Sequence, residues 1–398
     1  MPSKTVFVTG TTGHYGAAFA VAATQRHPAS RFVTLVRADD EAHARVRLAA
    51  KWERLVGRDT ALRLLDRWHV VPGELSRLPT LGDGVLDDAT HVVHFAANTS
   101  FVEKKTVWRT NLEGTLALAT RLRRARRLER FVYTGTAMIC GRRAPGVVHE
   151  DESPNERADH VAQYTASKAA TEQALAAQFP ELPLVVVRPS ILAGDTRTGC
   201  SSTSSIFWAI RASHEIGLVP RALDCGIDIA PFDWAADAMV HLAFKPGLKH
   251  RRYHVSAGPA RRSRFMDVGR AFAVLDGSDV DARYRPLPRL DTALLKQRFF
   301  ETYARTPMSI AMYRGLKRYF DFSVLDLAFD SSRLREEGFT RPAPRLDEYL
   351  PACLAQPGGL STLEMFEDDV DQFDRVACAP DPVVARREAG LAAAPLAA

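Results

Sequence analysis

Apolar and polar positions alternate in two periods along the first half of the chain. Short, mostly apolar runs recur at Thr5–Thr9, Phe32–Val36, His69–Val71, His91–Phe95, Phe131–Thr134 and Leu184–Arg188. Runs apolar at successive positions predict strands buried on both faces. Between them, Glu41–Val56, Leu112–Leu128 and Ala162–Gln178 carry apolar residues at three- and four-residue spacing, and the Ala-rich Ala17–Arg26 follows the first strand as a further helical pattern. That spacing predicts helices with one apolar side. Strand and helix in alternation predict an α/β fold, a Rossmann-type doubly wound parallel sheet.

Beyond Pro189 the pattern changes. Thr196–Ser205 is rich in Gly, Ser and Thr and reads as a loop, and Ile206–Ile216 as an apolar helix. Asp228–Asp237 and Tyr253–Gly258 read as returns to the sheet edge. From Ser263 to Pro351 the chain mixes polar residues with aromatics such as Phe299, Phe300, Tyr303, Tyr313 and Phe320, which predicts a smaller, mainly helical lobe. Ala379–Ala398 is rich in Ala and Pro with no packing pattern, so residues 376–398 are expected to be a disordered tail.

Composition narrows the class. With 46% hydrophobic and 25% charged residues among 398, the chain reads as a soluble globular protein too long for one core. No charged leader with an apolar core opens it, and no apolar run reaches a membrane span. The five cysteines form no C-x-x-C pair, so no metal site or disulfide framework is expected and a reducing cytoplasm is the simplest setting. The net charge of +6 includes the basic run Arg121–Arg130. No aromatic interleaving accompanies it, so it reads as the solvated face and last turn of a helix and not as a nucleic-acid site.

Chemistry enters with two motifs. Gly10, Gly13 and Gly16 stand at G-x-x-G-x-x-G spacing in TGTTGHYG, after a strand and before a helix. Glycines there permit a tight turn, and the helix N-terminus presents N–H groups to a pyrophosphate. Arg37 ends the second strand 21 residues after Gly16, where an acidic residue would select NAD; a cation favours the 2′-phosphate of NADP, although Asp39 and Asp40 lie close by. The second motif is Y-x-x-x-K, Tyr164 to Lys168. On a helix these share a face, and an ammonium there favours the phenolate of a general acid/base. In FVYTGTAMICG (Phe131–Gly141), two hydroxyls, Thr134 and Thr136, flank Gly135 at a strand end, and spacing alone does not rank them.

Together these stretches resemble extended short-chain dehydrogenases/reductases, most closely the group holding thioester reductase domains and fatty acyl-CoA reductase (male sterility) proteins. The resemblance rests on TGTTGHYG, LVRADDEAHARVR, VVPGELS (Val70–Ser76), HFAANTSF (His94–Phe101), NLEGT (Asn111–Thr115), YTASK and VVRPSILAGDTRTG (Val185–Gly199). It covers residues 5 to about 245, and later only YHVSAG (Tyr253–Gly258). The resemblance implies that Tyr164 exchanges a proton with the substrate oxygen. It implies that Lys168 holds the nicotinamide ribose and lowers the tyrosine pKa. Thr136 falls on the family's substrate-binding hydroxyl, and Gly135 departs from a position often held by another hydroxyl residue. Gly10, Thr12, Gly13, His14, Tyr15, Gly16, Arg37, Glu74, Leu75, Ala96, Ala97, Asn98, Pro189 and Ser190 would contact the cofactor, with Glu74 replacing the usual Asp near the adenine. Asn111 reads as structural.

The expected organisation is an NADP-binding domain over residues 1–195, with returning segments near 226–258. A substrate-binding lobe is expected from 196–225 and 259–375. The expected reaction is NADPH-dependent reduction of an acyl thioester to an aldehyde or alcohol. The alternatives are a ketone/alcohol oxidoreductase or sugar-nucleotide epimerase on the same scaffold, and a non-catalytic NADP sensor, which the intact Tyr164/Lys168 pair argues against. Because the nucleotide loop begins almost at residue 1, no carrier domain is expected upstream. The thioester would then arrive on CoA or on a separate acyl carrier protein, to a monomer or homodimer.

Overall fold

The apolar runs pair into one sheet in the computed structural model, which describes residues 4–75, 78, 84–99, 104–154, 158–199, 206–220, 222–277, 283–287, 291–355 and 361–367. Strands β1 (Thr5–Thr9), β2 (Arg31–Val36), β3 (Trp68–Pro72), β4 (His91–His94) and β5 (Arg130–Thr134) alternate with helices α1 (His14–Arg26), α2 (Glu41–Val56), α3 (Arg58–Leu65), α4 (Lys104–Trp108) and α5 (Gly114–Leu122). Then come β6 (Gly146–Val148), α6 (Gln163–Gln178), β7 (Leu184–Pro189), β8 (Ile191–Leu192), α7 (Phe207–Ile216) and β9 (Leu218–Pro220). They are followed by β10 (Gly226–Ile227), β11 (Ile229–Ala230), α8 (Phe232–Phe244) and β12 (Arg252–Val255).

Seven strands form a parallel sheet in the order β12-β7-β5-β4-β1-β2-β3. Side chains alternate between its faces. Val6, Val8, Phe32, Val93, Val132 and Val187 pack toward α1, α2 and α8, in a core that includes Phe19, Trp52 and Met239. Phe7, Val33, Val92, Phe131, Tyr133 and Val186 pack on the other face with Leu118, Leu122 and Leu175 of α5 and α6. Burial on both faces is why these strands carry apolar residues at successive positions. The strand order reverses between β1 and β4, which opens a crevice beyond their C-terminal ends.

The remaining strands form two-stranded ladders. β13 (Ser263–Arg264) pairs with β10, β14 (Arg285–Leu287) with β9, β15 (Leu327–Phe329) with β6, and β11 with β8. A separate apolar core joins α7, α9 (Phe265–Asp276) and the helices Thr292–Thr302, Pro307–Ser323 and Leu346–Leu354 around Trp208, Phe299, Met312, Leu316 and Phe320. It reaches the β8–β11 ladder through Ala193 and Ile229.

Three expectations need correction. Asp228–Asp237 is not a sheet edge: Ile229–Ala230 pairs only with β8, and the helix begins at Phe232 after Pro231. That helix, α8, is buried on nearly every side, so its apolar run mimics a strand. The expected helix Leu112–Leu128 begins as a widened π turn, Arg109–Glu113, and ends at Leu122. The basic run is not simply a solvated helix face. Arg121 is buried and donates to Asp87 at 2.6 Å, Arg123 donates to Glu181 and the Gln178 carbonyl, and Arg130 donates to the Leu242, Ala243 and Lys245 carbonyls at the end of α8. Tyr253 does lie on the edge strand β12. Residues 200–205 of the expected loop and the expected tail lie outside the described residues, as do Ser76, Ser100 and Phe101 of the motifs.

Candidate active site

The glycine loop is built by close approach. Gly10 has φ +77°, and a Cβ there would sit 2.5 Å from the Ala96 nitrogen. A Cβ on Gly16 would lie 2.2 Å from the Gly10 carbonyl oxygen. The Gly13 N–H donates to that carbonyl at 3.0 Å, which closes the turn, and at its tip Gly13 is exposed and Thr12 half-buried. The loop thus lies against the end of β4 at the reversal of strand order, with the N-terminus of α1 facing the crevice. A pyrophosphate fits such a cradle. The side chains of His14 and Tyr15 turn away from it. His14 stacks on Phe232 with a lysine ammonium, Lys51, 3.0 Å from its ring, and Tyr15 donates to the Ala235 carbonyl. Any contact of these two with a dinucleotide therefore falls to their backbone N–H groups.

Cations gather at the end of β2. Burial holds the Arg37 pKa below its ordinary value, Arg47 and Arg109 lower it further, and Glu74 opposes them. Arg47, on α2, donates to the Arg37 carbonyl. Asp40 is spent on the helix, accepting from the His43 N–H at 2.7 Å as the N-cap of α2. Arg47 and Arg109 were missed in the sequence because only the fold returns them to Arg37. Leu75 packs over Gly114, whose added Cβ would lie 3.2 Å from it.

The segment after β4 carries Ala96 and Ala97, both half-buried, and Asn98, which is buried. Asn111, fully buried in the π turn, holds this segment. Its side chain accepts from the Asn98 N–H at 2.7 Å and donates to the Asn98 carbonyl and to Ser167 Oγ, both at 2.9 Å. The structural reading of Asn111 therefore includes the helix bearing Tyr164 and Lys168, because Ser167 lies between them.

Tyr164 and Lys168 occupy the first turns of α6, which packs across β5. Lys168 is 1% exposed, lies 4.9 Å over the Tyr133 ring and donates to the Thr134 carbonyl at 2.7 Å. Burial lowers its pKa to about 7. Burial pushes the Tyr164 hydroxyl up to about 12. The expected lowering of the tyrosine by the lysine is thus absent from this state, because the ammonium is directed to a strand carbonyl and desolvation dominates. Thr136 caps the short 3₁₀ turn Ala137–Cys140, its hydroxyl accepting from the Met138 N–H at 3.3 Å. Thr134 Oγ is buried with no hydrogen-bond partner. Pro189 ends β7, and Ser190 lies buried beside the Asp228 carboxylate. A Cβ on Gly135 would meet nothing closer than 3.5 Å, so the glycine is not demanded by space.

The helix is pinned by a pair that sequence reasoning missed. Arg188 on β7 is 1% exposed and makes a two-pronged ion pair with Glu172, one turn beyond Lys168. The glycine cradle, the arginines at β2 and the orphan hydroxyl of Thr134 fit a nicotinamide dinucleotide. Among the described residues, no group of His, Cys, Asp and Glu is placed to hold a metal ion.

A glycine-rich strand–turn–helix at the switch of a doubly wound parallel sheet, with Y-x-x-x-K on a helix across β5, defines the class. This is an NAD(P)-dependent oxidoreductase of the extended short-chain dehydrogenase/reductase type. The chain belongs to the NAD-binding family described as Male sterility protein, whose pattern matches residues 8–239. It is 27% identical over 226 residues to the Drosophila melanogaster protein named "Putative fatty acyl-CoA reductase CG8303", a match covering 48% of this chain and 41% of the relative. The chain thus spans less than half the length of that relative. Among solved structures, the terminal R domain of the myxalamid PKS-NRPS pathway superposes with a TM-score of 0.70 at 19% identity, covering 95% of this chain and 92% of the other. A thiolation-reductase di-domain from an archaeal non-ribosomal peptide synthetase superposes at 0.68 with 16% identity, over 94% of this chain and 76% of the other. At these identities the structures establish a shared fold.

Proposed function

We propose that this oxidoreductase reduces an acyl thioester with NADPH, releasing the thiol and giving an aldehyde or, after a second round, the alcohol. Membership of the male sterility family, alongside a relative named for fatty acyl-CoA reduction, carries the thioester reading. The arginine cluster at the end of β2 carries the NADPH reading, since Arg37, Arg47 and Arg109 suit a 2′-phosphate.

Gly10, Gly13 and Gly16 would admit the pyrophosphate, with Thr12 and the backbone of His14 and Tyr15 at its edge. Ala96, Ala97, Asn98, Leu75 and Glu74 would line the adenosine side, and Pro189 and Ser190 the nicotinamide side. The bound cofactor supplies the hydride. Thr136 would hold the substrate carbonyl oxygen, and Tyr164 would give it a proton. A phenol held near 12 is fully protonated at neutral pH, the form a reduction needs. Lys168 would hold the ribose. The thioester would come on CoA or an acyl carrier protein, both anionic, to an Arg-rich surface.

The test is oxidation of NADPH against acyl-CoAs, acyl pantetheines, aldehydes and ketones, with the products identified. Acyl-CoA-dependent oxidation yielding free thiol and aldehyde or alcohol is expected. Turnover of a ketone with no thioester oxidised rejects the reading.

A further inference from the structure

A chain of buried hydrogen bonds runs from the glycine loop to the catalytic helix, and His94 stands at its centre. Thr9, His94, Asn111, Thr115, Ser167 and Thr171 are each 1% exposed or less. His94 Nδ1 lies 2.7 Å from Thr9 Oγ, and Nε2 lies 2.9 Å from Thr115 Oγ. Thr9 immediately precedes Gly10, and its hydroxyl oxygen also accepts from the Ala96 N–H at 3.2 Å. Thr115 donates to the Asn111 carbonyl at 2.6 Å.

Proton bookkeeping leaves one arrangement. A carbonyl only accepts, so the Thr115 proton points to Asn111 and His94 Nε2 must carry a hydrogen toward Thr115. Burial keeps the ring neutral, so Nδ1 is then bare and takes the Thr9 proton, while the Thr9 oxygen accepts from Ala96. From Asn111 the chain continues through Nδ2 to Ser167 Oγ, whose proton goes to the Tyr164 carbonyl at 2.7 Å. Thr171 of α6 lies 3.0 Å from the same Asn111 carbonyl. The other tautomer would set two lone pairs against each other at Thr115. Networks satisfied in only one way rigidify what they join.

We propose that His94, as the neutral Nε2–H tautomer, is a positioning residue that registers the nucleotide loop against the helix bearing Tyr164 and Lys168. It touches neither substrate nor cofactor. The loop would keep its phosphate cradle without it, but the phenol would lose its fixed distance to the nicotinamide side. The consequence is a loss in kcat greater than in NADPH affinity.

This inference rests on the reductase reading only for its kinetic arm. In the full chain with ¹⁵N-labelled histidine, the resonances lost in His94→Gln identify His94, and the wild-type ring should show the Nε2–H pattern. Thr115→Val keeps the branched shape and removes one link. It should lower kcat about tenfold, equivalent to about 1.4 kcal/mol, while the NADPH dissociation constant, read by fluorescence, changes less than about threefold. Thr115→Ser should restore kcat, counted per folded molecule. An Nδ1–H or doubly protonated ring overturns the proposal. So does an unchanged kcat in folded Thr115→Val, a loss confined to NADPH affinity, or a Ser variant as slow as the Val. If the enzyme reduces no thioester, kcat is read with the aldehyde or ketone it does reduce, so failure of the substrate reading is separate.

Discussion

Removing Arg37 tests the cofactor reading most sharply, because the site holds more than one cation. A charge-assisted hydrogen bond to phosphate is worth about 1.5–3 kcal/mol, which is about 10- to 150-fold in selectivity. Arg47 and Arg109 remain beside the position, and Arg47 still meets the residue-37 backbone carbonyl. Arg37→Ala should therefore lose only the lower end, about tenfold in the NADPH-to-NADH ratio of kcat/KM. Arg37→Ala with Arg47→Ala should bring that ratio close to unity. In the empty protein, burial and then repulsion from Arg47 hold Arg37 below its ordinary pKa. Removing the guanidinium relieves both, so the melting temperature without cofactor should hold or rise. Steady-state kinetics with both cofactors at one fixed acyl substrate, at low and high salt, measures the ratio. A wild-type ratio near one, or a loss in Arg37→Ala that is equal for NADH and NADPH, refutes the reasoning.

Other substitutions separate chemistry from scaffold. Thr136→Ala should lower kcat about 100-fold or more, and Thr134→Ala by much less; a larger loss at Thr134 would transfer the substrate hydroxyl to it. Lys168→Met should abolish reduction yet stabilise the cofactor-free protein at pH 7. The reason is that the folded lysine titrates near 7 against an ordinary 10.5, so the unfolded chain binds more protons between those values and stability climbs with pH across that window. Thermal melts from pH 7 to 10 should show that slope in wild type and a flatter one in Lys168→Met, and equal slopes would contradict the burial effect. Glu172→Leu should cost about 3–5 kcal/mol in urea unfolding by stranding the Arg188 guanidinium, and Arg188→Met added to it should recover most of the loss. A single substitution costing under about 1 kcal/mol would show that the pair does not pin α6.

Much of the scaffold was legible because local rules and global fold agree. Each strand of the seven except the last was visible as an apolar run, since burial on both faces leaves no polar alternation. The glycines of TGTTGHYG were legible because the loop forces a Cβ out of the space beside Ala96 and the Gly10 carbonyl. The errors have physical causes as well. Helix α8 is apolar on nearly every side and carried no helical signature. The helix expected to Leu128 stops at Leu122, where the following arginines turn to carbonyls and carboxylates brought from elsewhere in the chain.

The sequence by itself determined the α/β class, the glycine-rich strand–turn–helix, and the pairing of Tyr164 with Lys168 on one helical face. These depend on neighbours a few residues apart, where backbone geometry is fixed by short-range sterics. Only the tertiary structure decided what meets across long separations: Arg47 and Arg109 beside Arg37, Arg188 against Glu172, and Thr9, His94, Thr115, Asn111 and Ser167 in one buried chain. It also decided the electrostatics, since Lys168 and Tyr164 titrate according to how completely the sheet and helix remove them from water. Spacing along a helix reports which side chains share a face, but burial is set by everything that packs upon that face.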